Sequence, residues 1–341
     1  MIKELCIVGH PSKVGGADSE LDHQIRAWQA MGVKVHICHT SELDANLKNM
    51  RMEKRGCVYH TPKDWKSLKG MHVISFCNGS FLQNLPIIKP YARTTTFINC
   101  MTWNFRKEID CQRKGLIDFH LYQSDHALQM VSKKLRRLGT PYRPIRFEPY
   151  FYKEEFPFHN KRPTDTFQFG RISRGDAQKY HPKQIWIYKQ FNSPKPKNGV
   201  ILGWDNRAKR KFGNVKMPPF LTLHQEGKIT QQEFYKHTDV LILAADTFEN
   251  LPRVGFEAMA SGSILVVDNR GGWQIQVDNG KTGFLCNNEN DFVQRSSLLA
   301  NNDIMRDTMR EEARKKLGDR WGLESSMKSW DLVFQRWQKL K

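Results

Sequence analysis

Short apolar runs rich in β-branched residues alternate along this chain with segments whose apolar residues recur at helical spacing. In the first half the strand-like runs fall near residues 5–9, 33–39, 73–78, 94–99 and 119–123. In the second half they fall near 166–170, 199–203, 240–244, 264–268 and 283–286. Segments such as 20–31, 126–138, 231–237 and 256–261 lie between them and carry a helical period. Strand, helix, strand repetition predicts an α/β protein of parallel sheets with helices on both faces. The rhythm breaks between about 143 and 164, where Pro144, Pro149, Pro157 and Pro163 accompany charged residues, and this stretch reads as an interdomain linker. A last helix carrying Trp321, Met327, Trp330, Phe334 and Trp337, many of them on one stripe, is expected to pack back across a domain.

Length sharpens that picture. A chain of 341 residues exceeds the usual size of one core, so two domains are expected, over 1–150 and 151–320, with a return helix over 321–341. Hydrophobic residues at 39% and aromatics at 11% exclude a disordered chain. The net charge of +19 sits in the middle of the sequence: 18 Lys and Arg face 7 Asp and Glu over 51–150, and 15 face 5 over 151–219. Such an excess is either a solvated basic surface or the footprint of a polyanionic partner. The cysteines Cys6, Cys38, Cys57, Cys77, Cys100, Cys111 and Cys286 show no paired CxxC spacing, which argues against structural zinc. With no signal peptide or long apolar span in view, the expected setting is a reducing, cytoplasmic compartment.

The chemistry concentrates between Asp239 and Leu285. The run at 240–244 is followed by Asp246, Thr247, Phe248 and Glu249, then by Asn250 as the expected N-cap of a helix with Pro252 in its first turn and Gly262 at its end. Glu249 then lies at the carboxyl end of a strand and Glu257 within the helix. That edge of an open α/β sheet is where ligands bind and where helix N-termini favour phosphate. Two carboxylates would repel a diphosphate, so both are suited to accept hydrogen bonds from sugar hydroxyls. A second strand leads into Asn269, Arg270, Gly271 and Gly272, and paired glycines let backbone approach a ligand. Earlier, Gly170 and Arg171, with Lys179 eight residues later, offer a guanidinium and an ammonium to two phosphates of a leaving nucleotide.

The run Glu249, Asn250, Leu251, Pro252, Arg253, Val254, Gly255, Phe256, Glu257, Ala258, Met259, Ala260, Ser261, Gly262 resembles the signature of glycosyltransferase family 4. Gly271 and Gly272, then Gly280, Lys281, Thr282, Gly283, Phe284 and Leu285, resemble its next motifs, and Gly170, Arg171 and Lys179 its phosphate-binding residues. The resemblance covers about 120 residues of the C-terminal half. It implies a GT-B fold: two facing Rossmann-like domains with an interdomain cleft, and a nucleotide-sugar, most often UDP-linked, held by the second. It implies that Arg171 and Lys179 neutralise the diphosphate, Glu249 contacts the donor sugar and Glu257 the ribose. Asn250, Leu251, Gly271 and Gly272 would line the donor, and Lys228, in the segment 223–228, the loop beside the base. Gly15 and Gly16, after the first strand, resemble the family's glycine loop.

The same resemblance implies retention of anomeric configuration by same-face attack, with no cofactor beyond the nucleotide-sugar co-substrate. No DxD motif occurs, which agrees with metal-independent transfer. Two departures leave the donor sugar open: Asn99, Cys100, Met101, Thr102 and Trp103 stand where many members carry a His, and Gln274 replaces an acidic residue.

The acceptor is read from the charge. Arg51, Lys54 and Arg55, then Lys63, Lys66 and Lys69, then Lys133, Lys134, Arg136 and Arg137 form basic clusters in the first half; Arg207, Lys209, Arg210 and Lys211 form one in the second. Nucleic acid is the first candidate partner: phosphate contacts would supply affinity while a hydroxylated or hydroxymethylated base, stacked on Trp103, reaches the donor. A lipid or lipopolysaccharide at an anionic membrane surface is the second, because 125–138 pairs an apolar stripe with basic residues. A non-catalytic nucleic-acid-binding protein would account for the charge alone. A glycosidase would also use two carboxylates, but without a nucleotide sugar. No GxGxxG follows the first strand, which disfavours an NAD-dependent oxidoreductase.

Overall fold

The computed structural model describes residues 2–9, 16–42, 55–160 and 165–340. The chain divides into two units, Met1–Tyr152 with Arg320–Lys341, and Lys153–Asp319. Among the described residues each unit is built on one sheet in which every strand pair is parallel.

The first unit holds β1 (Glu4–Val8), α1 (Gly16–Ala30), β2 (Lys34–Cys38), β3 (Val58–His60), β4 (His72–Phe76), α2 (Gly79–Ile88), β5 (Thr94–Ile98), α3 (Arg106–Arg113), β6 (Phe119–Tyr122), α4 (Asp125–Leu135) and β7 (Pro144–Arg146). Its strand order is β3-β2-β1-β4-β5-β6-β7, so the direction of winding reverses between β1 and β4. Strands β4, β5 and β6 are buried along their whole length, as helices on both faces require. Thr94, Thr95 and Thr96 sit in that interior, and the Thr94 hydroxyl lies 2.8 Å from His72 Nδ1. Thr95 donates to the Leu116 carbonyl at 2.7 Å.

The second unit holds β8 (Phe167–Ile172), α5 (Gln184–Gln190), β9 (Lys197–Leu202), α6 (Asn206–Phe212), β10 (Leu221–His224), α7 (Gln231–His237), β11 (Val240–Leu243), α8 (Arg253–Ser261), β12 (Ile264–Asp268), α9 (Trp273–Gln276), β13 (Gly283–Cys286) and α10 (Glu289–Ala300). The order is β10-β9-β8-β11-β12-β13, with the reversal between β8 and β11. Helix α11 (Asp303–Trp321) follows, and α12 (Leu323–Lys339) belongs to the first unit. There Trp330, Phe334 and Trp337 join the core of β1 and α1, and Trp330 stacks edge-on against Trp28 with ring centres 4.9 Å apart. Gln24 on α1 accepts from the Trp330 indole at 2.8 Å, which leaves the buried N–H satisfied. Trp321, expected on this last helix, instead ends α11.

The stretch expected to be a linker is partly sheet. Pro144–Arg146 forms an edge strand, Glu148 accepts from Arg320 at 3.1 Å, and the Phe151 amide donates to the Trp321 carbonyl at 2.8 Å. A three-residue strand is too short to show a period, and proline is tolerated where it costs no inner ladder bond. The edge strand β3 escaped the hydrophobic pattern for the same reason, and β10, as long as β11, escaped it because its edge position leaves it only partly buried. Pro163 lies outside the described residues.

Candidate functional site

The reversal between β8 and β11 places the carboxyl ends of these strands at the position where open α/β sheets receive ligands. Most of the residues singled out in the second half gather here. Gly170 sits inside β8 because the Phe234 ring occupies the space beside it: a Cβ would come within 2.8 Å of Cζ. Arg171 points to the opposite face and is only 2% exposed. Its guanidinium lies over the Tyr180 ring at 4.3 Å and donates to Gln184 at 2.8 Å, to the Ala244 carbonyl at 3.1 Å and to the Lys179 carbonyl. No carboxylate pairs with it among the described residues, so it leaves positive potential beneath the Lys179 turn. It reaches that turn from below and is not a surface cation.

Lys179 closes a short helical turn and extends its ammonium to Glu249, with Nζ 2.5 Å from Oε1. The pair is mostly shielded, at 25% and 17% side-chain exposure. Glu249 comes from the loop after β11, and the loop after β12 locks it in place: the Gly272 amide donates to the Glu249 carbonyl at 2.7 Å. A Cβ on Gly272 would lie 1.7 Å from the Asn250 carbonyl oxygen, and one on Gly271, whose φ is +60°, would lie 2.4 Å from that of Glu249. The two glycines therefore let backbone pack on backbone, where the sequence suggested room for a ligand.

Helix α8 starts at Arg253 with Pro252, not Asn250, at its N-cap position; Asn250 is drawn inward, and its carbonyl packs against Gly272. Leu251 is buried beside it. Glu257, on the first turns of α8, is only 3% exposed. Its Oε2 lies 3.0 Å from the Tyr235 hydroxyl and 3.4 Å from the Gln231 side-chain nitrogen. Burial, and then the Glu257 charge, push the Tyr235 phenol far above its usual range, so it stays protonated as a donor. Gln231 opens α7 directly after the turn that carries exposed Lys228, and Thr230 caps that helix with a capping box to Glu233. The turn is thereby tied to Glu257. Sequence reasoning missed Tyr180, Gln184, Gln231 and Tyr235, because each meets its partner across 9 to 26 residues of chain and shares no local motif with it.

In the first unit, Gly16 begins α1, while Gly15, Arg51 and Lys54 lie outside the described residues. Trp103 is 56% exposed, in the loop after β5. Fully buried Asn99 shapes that loop: its amide donates to the Trp103 carbonyl at 3.0 Å and to Glu108 at 2.9 Å, and it accepts from the Met101 amide at 2.8 Å. Glu108 also accepts from the Phe105 amide at 3.1 Å, and His120 lies 3.4 Å away. Lys133, Lys134, Arg136 and Arg137 are exposed in the last turn of α4 and the turn after it. Helix α4 starts at the carboxyl edge, where Ser124 caps it, so its end lies at the other edge. Trp103 and this cluster are thus separated by the length of α4, roughly 16 Å for an 11-residue helix. In the second unit, Arg207 is held by Asp205 and Asp176, and Lys211 by Asp246, so part of that basic cluster is neutralised.

Residues 153–316 match the family Glycosyl transferases group 1. The spore coat protein SA of Bacillus subtilis strain 168 is 28% identical over 91 residues, 26% of this chain and 24% of that protein. Solved structures match over nearly the whole chain. The Anabaena protein HepE in complex with UDP and glucose superposes with a TM-score of 0.73 at 12% identity, covering 98% of this chain and 100% of that one. Sucrose-phosphate synthase from Thermosynechococcus elongatus gives 0.72 at 12%, covering 99% and 100%. A complex of Staphylococcus aureus TarM with Fondaparinux, alpha-GlcNAc-glycerol and UDP gives 0.71 at 12%, covering 98% and 100%. The chain thus has the fold of GT-B glycosyltransferase structures, and its residues 153–316 carry the sequence pattern of glycosyl transferases group 1.

Proposed function

We propose that the protein is a retaining, metal-independent member of glycosyltransferase family 4. It transfers a hexosyl or pentosyl group from a UDP-sugar to a hydroxyl of a polyanionic acceptor, a hydroxymethylated base in DNA, in the cytoplasm. The observation that carries the donor half is the Lys179–Glu249 pair set over the buried Arg171, which makes no ion pair among the described residues. On donor binding Lys179 exchanges Glu249 for the diphosphate, and Glu249 turns to the hydroxyls of the sugar. Charge that develops on the leaving UDP meets the Lys179 ammonium and the field of Arg171, with Gly170 fixing the strand behind them. Glu257, oriented by Tyr235 and Gln231, takes the ribose hydroxyls. Asn250, Leu251, Gly271 and Gly272 form the walls that hold these groups.

For the acceptor, Trp103 offers a stacking face and Lys133, Lys134, Arg136 and Arg137 offer phosphate contacts about one helix length away. A strand of roughly five nucleotides spans that distance at about 3.4 Å per phosphate, whereas a single lipid headgroup does not. The test is a mass-spectrometric transfer screen of several UDP- and GDP-sugars against hydroxymethylated DNA, unmodified DNA and lipid acceptors, with UDP titrated by calorimetry. Mass gain on hydroxymethylated DNA, with DNA affinity falling steeply between about 50 and 200 mM salt, is expected. Transfer to lipid alone overturns the DNA acceptor, and absence of UDP binding overturns the donor reading.

A further inference from the structure

At the carboxyl ends of β11, β12 and β13 the second unit holds a pocket of about 360 Å³. None of Arg171, Lys179, Glu249 or Glu257 lines it. Its floor is apolar, formed by Ala244, Cys286 and the buried Phe292. Its rim is polar, and most of that polarity is oriented by neighbours. Asp268 accepts from the Ala245 amide through Oδ2 at 2.9 Å and presents Oδ1 3.7 Å from Arg270. Asn287 accepts from Asn269 at 2.9 Å, which fixes the side of its amide that faces away. Glu289 lies 3.2 Å from Lys183 and 3.8 Å from His181.

The rim therefore mixes carboxylate acceptors with amide, guanidinium and imidazole donors around a small apolar base. The carboxylates of Asp246, Asp268 and Glu289 are each matched by a cation, Lys211, Arg270 and Lys183, so the rim offers no excess of either charge to an ionic ligand. Among the described residues, no group of three or more His, Cys, Asp or Glu side chains is placed to hold a metal ion. A neutral molecule whose hydroxyl groups each donate and accept, with a C–H face for the floor, answers this lining, and the volume lies within the range of small-molecule sites. We propose that this pocket is a second binding site, specific for a neutral saccharide unit and separate from the nucleotide-sugar residues. It touches the donor loop through its own wall: the Ala244 carbonyl accepts from Arg171, and Arg270 donates to the Ala245 carbonyl, four residues before Glu249.

Saturation-transfer NMR on the full chain, with glucose and maltose as probes and inorganic phosphate as control, tests this. The expected result is saccharide binding that persists when UDP is saturating and weakens about tenfold or more in Asn287→Leu and in Asp268→Asn. Thermal melts of both variants establish that they fold. Phosphate binding in preference to saccharide, displacement of saccharide by UDP, equal binding in both folded variants, or no saccharide binding overturns the proposal. The donor reading is scored separately, by UDP titration of the same sample without saccharide.

Discussion

If Lys179 must leave Glu249 to grip a diphosphate, the two partners of this pair will respond to substitution in opposite directions. The Nζ–Oε1 separation is 2.5 Å, and both side chains are at least three-quarters shielded, at 25% and 17% exposure. Such a pair lies between an exposed one, worth up to about 1 kcal/mol, and a buried one whose desolvation offsets much of its attraction. A net value of about 1–2 kcal/mol follows, and Glu249→Gln removes it while keeping the shape of the side chain. Because a ligand that takes Lys179 no longer breaks the pair first, UDP should bind Glu249→Gln roughly 5- to 30-fold more tightly than the parent. Transfer from UDP-sugar should fall in the same variant, since the sugar loses its carboxylate. Lys179→Met should weaken UDP by about 10- to 100-fold through loss of a charge-assisted hydrogen bond. Calorimetric titration with UDP, beside a transfer assay, reads both arms. An unchanged or weaker UDP affinity in Glu249→Gln would refute the competition between carboxylate and diphosphate, and with it the role assigned to the pair.

Two further outcomes are expected. Gly272→Ala places a methyl group 1.7 Å from the Asn250 carbonyl oxygen and should destabilise the second unit by about 3 kcal/mol or more, seen as a lowered melting temperature in calorimetry; a parental melt would show that the loop yields freely. Burial holds the Asp268 carboxyl up at about 6, against roughly 4 in an unfolded chain. The folded state binds this proton more tightly, so the contribution is fully present below about pH 4 and is lost as pH rises through 6. The advantage of Asp268→Asn over the parent should therefore grow from near zero at pH 4 to about 3 kcal/mol at pH 7.5, and a gap that stays flat across this range would contradict it.

What the sequence revealed and what it hid separate along a physical line. Fully buried strands such as β8 and β11 announce themselves because parallel strands covered on both faces must be apolar throughout. The three-residue strands at Val58–His60 and Pro144–Arg146 carry too few residues for any period. At the candidate site, the places of Glu249, Glu257, Gly271 and Gly272 at the strand ends were legible from spacing, but the contacts they make there were not. The glycines answer to two carbonyl oxygens more than 20 residues away, and Asn250 lost its expected capping place to Pro252 because its backbone is held inward by that same contact. Contacts across such separations leave no trace in a local window. The charge count located basic clusters but not the edge of the sheet on which each lies, since that depends on where α4 begins and ends.

Arg171 and Lys179 carry the same charge at different depths, the first buried and the second partly exposed. A guanidinium cannot lose its proton in a protein, so burying one without a carboxylate is tolerable only where neutral acceptors and an aromatic face surround it. Gln184, two backbone carbonyls and the Tyr180 ring supply that here. The result is a guanidinium that makes no ion pair among the described residues, only partly offset by the charge of Asp268, held by rigid strand and helix under a lysine paired with Glu249. An anion arriving at the strand ends would meet a fixed charge it need not touch and a mobile one it can capture. Replacing the buried guanidinium by an ammonium would keep the charge but lose the planar fork that ties together β8, β11 and the Lys179 turn. The geometry of the site, more than its net charge, therefore depends on that residue being arginine.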